Sequence, residues 1–484
     1  MLGIFGILLA LGLLIFFAYR GVSVLILAPL MALVAVLFNG GTPLLGAYTQ
    51  IFMGATADFI MKYFPLFLLG AIFGKLMDDS GSAQAIARAI IARLGEQRAI
   101  LAVVLSCAVL TYGGVSLFVV AFAVYPIAAA LFRQADIPKR LIPATIALGA
   151  FTFTMTALPG TPAIQNAIPI PYFGTNAFAS PVLGILTAML MFGLGQWWLS
   201  YRLQKARAAN EGYGHHDDAA PAALPEKRIR EHAEGEGFDY MELEAQRPAE
   251  NQFPNFWIAI TPIVVVIFAN LLFATQVIPR LETDYLGDPQ YGATTISAVG
   301  GIWAIICALV VAIVVLLALN WKRLTDLRQT LDSGANASVL PIFNTASQVG
   351  FGAVIAALAA FELIRSGVLG IGGDNPLISL AVSVNVLAGI TGSASGGMSI
   401  ALQALGDHYV AMAQSAGISM ELMHRVTAVA TGGLDSLPHN GAIITLLAIC
   451  KLTHRDSYGD IFVVALLIPL ISLIFLIAAG TLIS

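Results

Sequence analysis

The feature that most constrains this fold is a series of uncharged apolar stretches, each about as long as a membrane is thick. A helix of roughly 20 apolar residues crosses the hydrocarbon core of a bilayer. The chain of 484 residues is 58% hydrophobic and 11% charged, whereas an ordinary soluble domain carries about 25% charged residues. The sequence therefore predicts an all-α polytopic membrane protein. The clearest predicted spans are Leu2–Phe17, Val22–Phe38, Phe256–Ala274, Ile302–Leu319 and Ile461–Ile483.

One long segment, residues 202–252, is polar, charged and proline-containing. Such a composition favours a solvated linker, and it divides the chain into hydrophobic halves at residues 1–201 and 253–484. His215 and His216 precede two aspartates, but their spacing matches no recognised metal-site pattern. We predict no metal site and no cofactor.

The two hydrophobic halves resemble each other. YGGV (112–115) precedes LPGTPAIQN (158–166) in the first half. SGGM (395–398) precedes SLPHNGA (436–442) in the second half, at nearly the same separation. Landmarks that recur at a near-constant offset indicate an internal duplication.

Lysine and arginine in short loops predict the orientation of the spans, because such loops are retained in the cytoplasm. With these loops and the linker inside, the second half runs upside down relative to the first, in about ten crossings plus two re-entrant hairpins. We expect the hairpins at about 99–132 and 378–405, followed by broken helices at about 141–170 and 421–450. A plain array of helices without re-entrant segments is the alternative, since hydropathy alone does not separate the two. The basic loops are Tyr19–Arg20, Lys75–Arg98, Arg133–Arg140, the linker, Lys322–Arg328 and Lys451–Arg455.

Inverted repeats with broken helices are typical of secondary transporters. Irregular backbone at membrane depth is tolerated where it lines a cavity, and helix N-termini within it suit a carboxylate. Serines and amides there are also compatible with ordinary interhelical packing and hydrogen bonding. The predicted substrate-binding residues are Tyr112, Gly113, Gly114, Ser116, Gly160, Thr161, Gln165 and Asn166 in the first half, and Ser393, Ser395, Gly396, Gly397, His439 and Asn440 in the second.

Asp435 and His439 are the predicted ion-coupling residues. An ionisable group inside a membrane indicates a functional site by default, and an imidazole titrates near physiological pH. The structural alternatives are a helix N-cap for Asp435 and a hydrogen-bonded buried imidazole for His439.

Several function classes lack their sequence patterns. There is no nucleophile elbow, no Walker loop and no zinc pattern, and no basic block that indicates nucleic acid. We therefore predict a transporter driven by an ion gradient and not an enzyme. A passive channel would need no titratable group in the breaks, and an intramembrane enzyme or complex subunit would need a catalytic pair.

Residues 113–169 carry a specific combination of YP, IPKRLIPA, GAFTFTMTALPG and IQN elements. This region resembles the gluconate:proton symporter (GntP) family of permeases, within the ion transporter superfamily. The resemblance implies proton-coupled symport of a small hydroxy-carboxylate, such as gluconate or 3-hydroxybutyrate, across the bacterial cytoplasmic membrane. It also implies an elevator-type homodimer, with a scaffold and a transport domain built from the hairpins and broken helices. SLPHNGA departs from the usual family form, so the substrate is not defined by the resemblance. Sodium is the alternative coupling ion, because backbone carbonyls and Asp435 suit either ion.

Overall fold

The computed structural model describes residues 2–20, 22–214, 253–371, 373, 375–438 and 440–483, and these residues form helices and no β-strand. The prediction of an all-α membrane protein is confirmed. Residues 215–252, most of the predicted linker, lie outside the described part of the chain. The first-half helices are α1 (Leu2–Tyr19), α2 (Val24–Phe38), α3 (Leu44–Asp79), α4 (Ser82–Leu94), α5 (Ala99–Tyr112), α6 (Leu117–Gln134), α7 (Ile142–Ala150), α8 (Phe153–Thr156), α9 (Ile164–Ala167), α10 (Ile170–Phe173) and α11 (Pro181–Ala208). The second-half helices are α12 (Phe256–Arg280), α13 (Ile296–Asn320), α14 (Leu327–Ala357), α15 (Phe361–Leu369), α16 (Pro376–Thr391), α17 (Ala394–Ala416), α18 (Met420–Ala430), α19 (Gly441–Ile449) and α20 (His454–Ile483).

Local sequence explains where several of these helices begin. Ser23, Asn255 and Asn375 accept a hydrogen bond from the backbone N–H two residues later, at the starts of α2, α12 and α16. Such N-caps satisfy donors that the first helical turn leaves open.

Six described helices are long and apolar enough to cross a membrane: α3, α11, α12, α13, α14 and α20. A seventh span arises if Ser82–Leu94 and Glu96–Tyr112, bent by 106°, count as one. Shorter apolar helices cover Leu2–Phe17, Val24–Phe38, Val119–Gln134 and Pro376–Thr391. The higher count of about ten crossings, made from loop charges, stays a prediction.

The helices follow the same order in both halves. A long helix and a shorter one (α3 and α4, then α14 and α15) precede a helical hairpin (α5 and α6, then α16 and α17). In each half an interrupted run of short helices follows the hairpin, and a long helix follows that run: α11 in the first half and α20 in the second.

The long helices α3 and α14 pack against each other in opposite directions. Thr56 in α3 donates a hydrogen bond to the Ala346 carbonyl in α14, at 3.2 Å. Further along α3, the Cα atom of Ile72 lies 2.9 Å from where a Cβ on Gly334 would stand. Later residues of α3 therefore contact earlier residues of α14, so the two helices are antiparallel. Glycine allows this close backbone approach.

Candidate functional site

The first hairpin turn lies on an unwound segment of the same half. We name residues 157–163, between α8 and α9, break 1. The Tyr112 hydroxyl at the end of α5 donates to the Pro159 carbonyl at 2.7 Å. Gly114 in the turn has φ +90°, and a Cβ there would stand 2.6 Å from Pro162 Cγ. Only glycine combines this backbone conformation with so close a contact.

Break 1 is held by buried hydrogen bonds. The Gly160 N–H donates to the Ala177 carbonyl at 2.8 Å, and the Gly160 carbonyl accepts from Asn270 Nδ2 at 3.2 Å. Thr161 is fully buried, and its hydroxyl oxygen accepts from the Ala163 N–H at 3.3 Å. Buried backbone groups outside a helix need such partners.

The two predicted amides that follow break 1 have different surroundings. Asn166 Nδ2 donates to the carbonyls of Thr161 and Ala177, at 3.0 and 2.8 Å. The Oε1 atom of Gln165 is buried and has no hydrogen-bond partner among the described residues. Asn166 therefore maintains the shape of the segment, while Gln165 retains an open acceptor.

The other predicted residues of the first turn point to different neighbours. A Cβ on Gly113 would stand 2.7 Å from the Ile263 side chain of α12. Ser116 is exposed and precedes α6, whose N-terminus receives no side-chain cap. The N-terminal N–H groups of α6 therefore have no side-chain partner from Ser116.

The second half repeats the contact between a hairpin turn and an unwound segment. We name residues 431–440, between α18 and α19, break 2. Asn440 caps α19 by accepting from the N–H groups of Ala442 and Ile443, at 2.6 and 3.2 Å. Its Nδ2 donates to the Gly392 carbonyl in the turn, at 2.7 Å. Asn440 thus joins the second hairpin turn to break 2.

Asp435 lies in a single 3₁₀ turn within break 2 and is half-buried. Its Oδ1 accepts from the Gly433 N–H at 2.9 Å and from the Ser436 hydroxyl at 3.2 Å. The N-cap role that was the alternative for Asp435 belongs to Asn440. The predicted coupling residue His439 falls outside the described residues.

The second hairpin turn is polar and tightly packed. Ser393 Oγ accepts from the Gly396 N–H at 3.2 Å and lies 3.5 Å from Ser395 Oγ. The Gly397 N–H donates to the Ser393 carbonyl at 2.9 Å, so both glycine N–H groups have partners within the turn. A Cβ on Gly396 would overlap Gln348 Oε1 of α14, and one on Gly397 would overlap the backbone of Ala388 in α16.

Several buried polar atoms of the hairpins, the breaks and the helix that faces them lack a hydrogen-bond partner in the described structure. Buried amides are normally hydrogen-bonded, so an open group in such a place favours a bound solute or water. The following atoms are buried and have no hydrogen-bond partner within the described part of the chain: Gln165 Oε1, Gln348 Oε1, Asn385 Nδ2 and Ser399 Oγ.

The two halves meet between the breaks. A Cβ on Gly432 in break 2 would stand 3.6 Å from Thr156 Cγ2, directly before break 1. The Tyr125 hydroxyl of α6 donates to the Cys450 carbonyl after α19, at 3.2 Å. The unwound segments are therefore neighbours in space.

Sequence reasoning missed two fully buried residues of α18, His424 and Arg425. The imidazole forms hydrogen bonds with Thr175 Oγ1 at 2.6 Å and Asn166 Oδ1 at 3.2 Å. The guanidinium donates to Asn166 Oδ1 at 3.1 Å and to backbone carbonyls around break 1. The signal was present, because HR interrupts an apolar stretch and the rule that singled out Asp435 applies to it equally.

A charged cluster lies where α11, α20 and the turn before α7 meet. The buried carboxylate of Asp460 accepts from Arg202 Nε at 2.6 Å and Arg140 Nη1 at 2.9 Å. Arg140 also donates to both oxygens of Glu211, at 2.6 and 2.9 Å. These hydrogen bonds and the positive charge of Arg140 hold the pKa of Glu211 below its ordinary value. The cluster joins the start of α7 to the start of α20.

Comparisons with known proteins agree with a transporter. The chain matches the family described as GntP family permease over residues 2–479. It is 47% identical over 468 residues to the uncharacterized transporter YxjC of Bacillus subtilis, covering 95% of each chain. An uncharacterized transporter of Haemophilus influenzae is 32% identical over 146 residues, 30% of this chain and 32% of that one.

A solved structure, that of the YdaH transporter of Alcanivorax borkumensis, superposes with a TM-score of 0.46 at 15% identity, covering 90% of this chain and 88% of that one. The sequence matches carry the assignment, because the family covers nearly the whole chain. The protein is a transporter and not an enzyme. The chain belongs to the GntP family of permeases.

Proposed function

We propose that this protein is a secondary transporter that carries a small hydroxy-carboxylate, such as gluconate or 3-hydroxybutyrate, together with a proton across the bacterial cytoplasmic membrane. The observation that carries the proposal is the docking of a hairpin turn on an unwound segment in both halves. Tyr112 and Gly114 contact break 1, and Asn440 joins Gly392 to break 2. Irregular backbone at membrane depth is expected where it lines a solute site.

An inverted repeat is part of the proposal. The antiparallel packing of α3 and α14, which hold the same place in the order of their halves, supports it. In this arrangement 1–201 and 253–484 are the two repeats, and the hairpins and broken helices form a transport domain. We propose that this domain moves against a scaffold in an elevator-type homodimer.

The chemistry of the site suits a hydroxylated anion. The N-terminus of α6 beside Ser116 carries no side-chain cap, and helix N-termini stabilise a carboxylate. Gln165 and the serines of the second turn offer groups that bind hydroxyls. We assign substrate contact to the predicted residues of both turns and breaks, with Asn166 and Asn440 acting mainly by holding the backbone.

Coupling is assigned to Asp435, with His439 as the second candidate. The carboxylate of Asp435 accepts two hydrogen bonds inside break 2, so its protonation changes the contacts of this turn directly. Sodium is the alternative coupling ion. The hydroxyl oxygens of Thr345, Ser395 and Ser393 follow one another at 3.4 and 3.5 Å, and hard cations prefer oxygen ligands.

The test is uptake of labelled gluconate and 3-hydroxybutyrate into proteoliposomes, with an imposed pH gradient in one series and a sodium gradient in another. We expect accumulation of a hydroxy acid when the pH gradient is imposed, and its collapse when a protonophore is added. Accumulation driven only by the sodium gradient would mean that sodium, and not the proton, is the coupling ion. If neither gradient drives accumulation above protein-free vesicles, the proposal fails.

A further inference from the structure

Arg425 is a fully buried cation whose bonds all go to the first half of the molecule. It is 0% exposed and lies within α18. A guanidinium has five N–H donors. Nε donates to the Ala179 carbonyl, Nη1 to the Thr156 carbonyl and Asn166 Oδ1, and Nη2 to the carbonyls of Ala177 and Ala179, at 2.8–3.4 Å.

These acceptors lie on both sides of break 1. Thr156 is the last residue before break 1, and Asn166 follows it in α9. One side chain therefore fixes the two ends of the unwound segment relative to α18. Gly184 provides the space, since a Cβ there would stand 3.2 Å from Arg425 Nε.

The positive charge of Arg425 is not neutralised by an ion pair. Every hydrogen bond of the guanidinium goes to a neutral oxygen, and no carboxylate lies within ion-pair distance of it among the described residues. Glu421, one turn earlier in α18, is exposed and accepts from the Ser180 N–H at 3.2 Å. A buried charge is costly unless something compensates it.

The side chain at position 166, which contacts the guanidinium, is neutral and supplies no counter-ion. An aspartate there would have the same shape and would form an ion pair with Arg425 through the existing 3.1 Å contact. The chain carries asparagine instead, whose Nδ2 is used by the carbonyls of Thr161 and Ala177. His424 also bonds Asn166 Oδ1, so its protonation would add a second cation to the same place.

We propose that Arg425 is a positioning and charge-selectivity residue, which holds break 1 in shape and gives the space between the two breaks a positive potential that favours an anion. It acts without touching the solute, since its donors are already used. The inference rests on the proposed function in one respect, namely that the transported solute is an anion. Charge at this depth acts over several ångströms, because the surrounding dielectric constant is low.

The test measures the sign of the potential directly. Ala163, half-buried in break 1, is replaced by cysteine in a background with Cys107, Cys307 and Cys450 changed to alanine. Its rates of reaction with anionic sulfonate and cationic trimethylammonium methanethiosulfonates are each divided by the rate of the same reagent with a free thiol. We expect the anionic reagent to react about tenfold faster after this correction.

Three variants separate charge from structure. Arg425→Gln removes the charge and most of the bonds, and Arg425→Lys removes the forked guanidinium but keeps the charge. Asn166→Asp keeps Arg425 and gives it a counter-ion, at the loss of the two bonds that Asn166 Nδ2 donates. We expect the anionic preference to fall to about onefold in Arg425→Gln and Asn166→Asp and to persist in Arg425→Lys. Gel filtration and thermal unfolding report which variants fold. If Arg425→Gln does not fold, the comparison of Asn166→Asp with Arg425→Lys is enough to test the proposal.

The proposal is overturned if the parent protein shows no anionic preference, if neither reagent reaches position 163, or if a folded Asn166→Asp protein keeps the preference. It is also overturned if Arg425→Lys loses as much of the anionic preference as Asn166→Asp does, because the loss would then reflect the structure and not the charge. Labelling needs no substrate, so an anionic preference in a protein that accumulates no hydroxy acid would support Arg425 while ending the proposed transport function.

Discussion

Break 1 and break 2 occupy matching places in the two halves, but they are held in different ways. Break 1 is fixed by the buried side chains of Arg425 and Asn270, which come from distant helices, and by Asn166, which follows it in α9. Break 2 is held by its own cap, Asn440, and by one buried side chain, Asn385 of α16, whose Oδ1 accepts from the Leu434 N–H at 3.2 Å. Its remaining contacts come from partly exposed groups of α20: Tyr458 donates to the Ser436 carbonyl, and His454 bonds the Pro438 carbonyl.

The difference teaches how the two segments divide their work. Thr161 in break 1 is fully buried, whereas Asp435 is half-buried and Pro438 is exposed. The rigid backbone of break 1 is suited to shaping a solute site. The less constrained turn of break 2 is suited to binding and releasing an ion. We therefore expect perturbation of break 1 to reduce stability and perturbation of break 2 to reduce coupling.

The largest expected effect is on coupling through break 2. Asp435→Asn should abolish gradient-driven accumulation, since an amide cannot gain or lose the proton, while exchange of external for internal solute is retained. Accumulation and exchange are measured in the same proteoliposomes. Asp332→Asn, an exposed change on α14, is the control. Unchanged accumulation in Asp435→Asn would remove this residue from coupling and favour His439.

The next effect compares the amides of the two breaks. Asn166→Ala removes the two bonds to the Thr161 and Ala177 carbonyls and the shared acceptor of His424 and Arg425, and it should cost about 3–5 kcal/mol. Asn440→Ala loses a cap and one carbonyl contact and should cost about 1–2 kcal/mol. Thermal unfolding in detergent measures both, with Asn255→Ala, an exposed cap of α12, as the control. Equal shifts at positions 166 and 440 would show that the breaks are held equally.

A third effect tests the packing of the second hairpin. Gly396→Ala places a methyl group on Gln348 Oε1 and should lower stability by about 1–3 kcal/mol. Adding Gln348→Ala should recover most of the loss. Gly459→Ala has open space around it and is the control for thermal unfolding. If the double variant is no more stable than Gly396→Ala, the two side chains do not meet.

The smallest effect concerns the charged cluster that joins the start of α7 to the start of α20. Glu211→Gln should lower stability at neutral pH by less than about 1 kcal/mol, because partly exposed ion pairs contribute little. The pKa of Glu211 is lowered in the folded protein, so its contribution is present at neutral pH and lost as the pH falls through that lowered value.

Thermal unfolding of the parent and Glu211→Gln proteins from pH 7 to about pH 3 follows this loss. Their difference should shrink with acidification, whereas a Glu282→Gln control at an exposed site should show little difference at any pH. If the stability difference between the parent and Glu211→Gln proteins grew at low pH, the expected direction of the pH dependence would be wrong.

The sequence predicted several of the membrane-length helices and the positions of the helix interruptions because their causes are local, although Leu2–Phe17 and Val24–Phe38 fall in shorter apolar helices. Long apolar runs define the spans, and glycine and proline near Pro159 and Pro438 interrupt helices. The roles of particular polar groups depended on contacts between distant residues. Arg425 forms hydrogen bonds with Thr156 and Ala179, which are some 250 residues away in the sequence. No rule based on local residue spacing predicts such a contact. Asn440, not Asp435, caps α19, because only the folded turn shows which side chain reaches the helix N-terminus.

The most direct test of the shared site is hydrogen exchange with and without the transported acid. If one solute is held between the breaks, adding it should slow amide exchange in both 157–166 and 431–440, while 296–320 of α13 stays unchanged. Protection of both segments at the concentration that half-saturates uptake is the predicted result. Protection confined to one segment, or absent from both while uptake proceeds, would contradict the account.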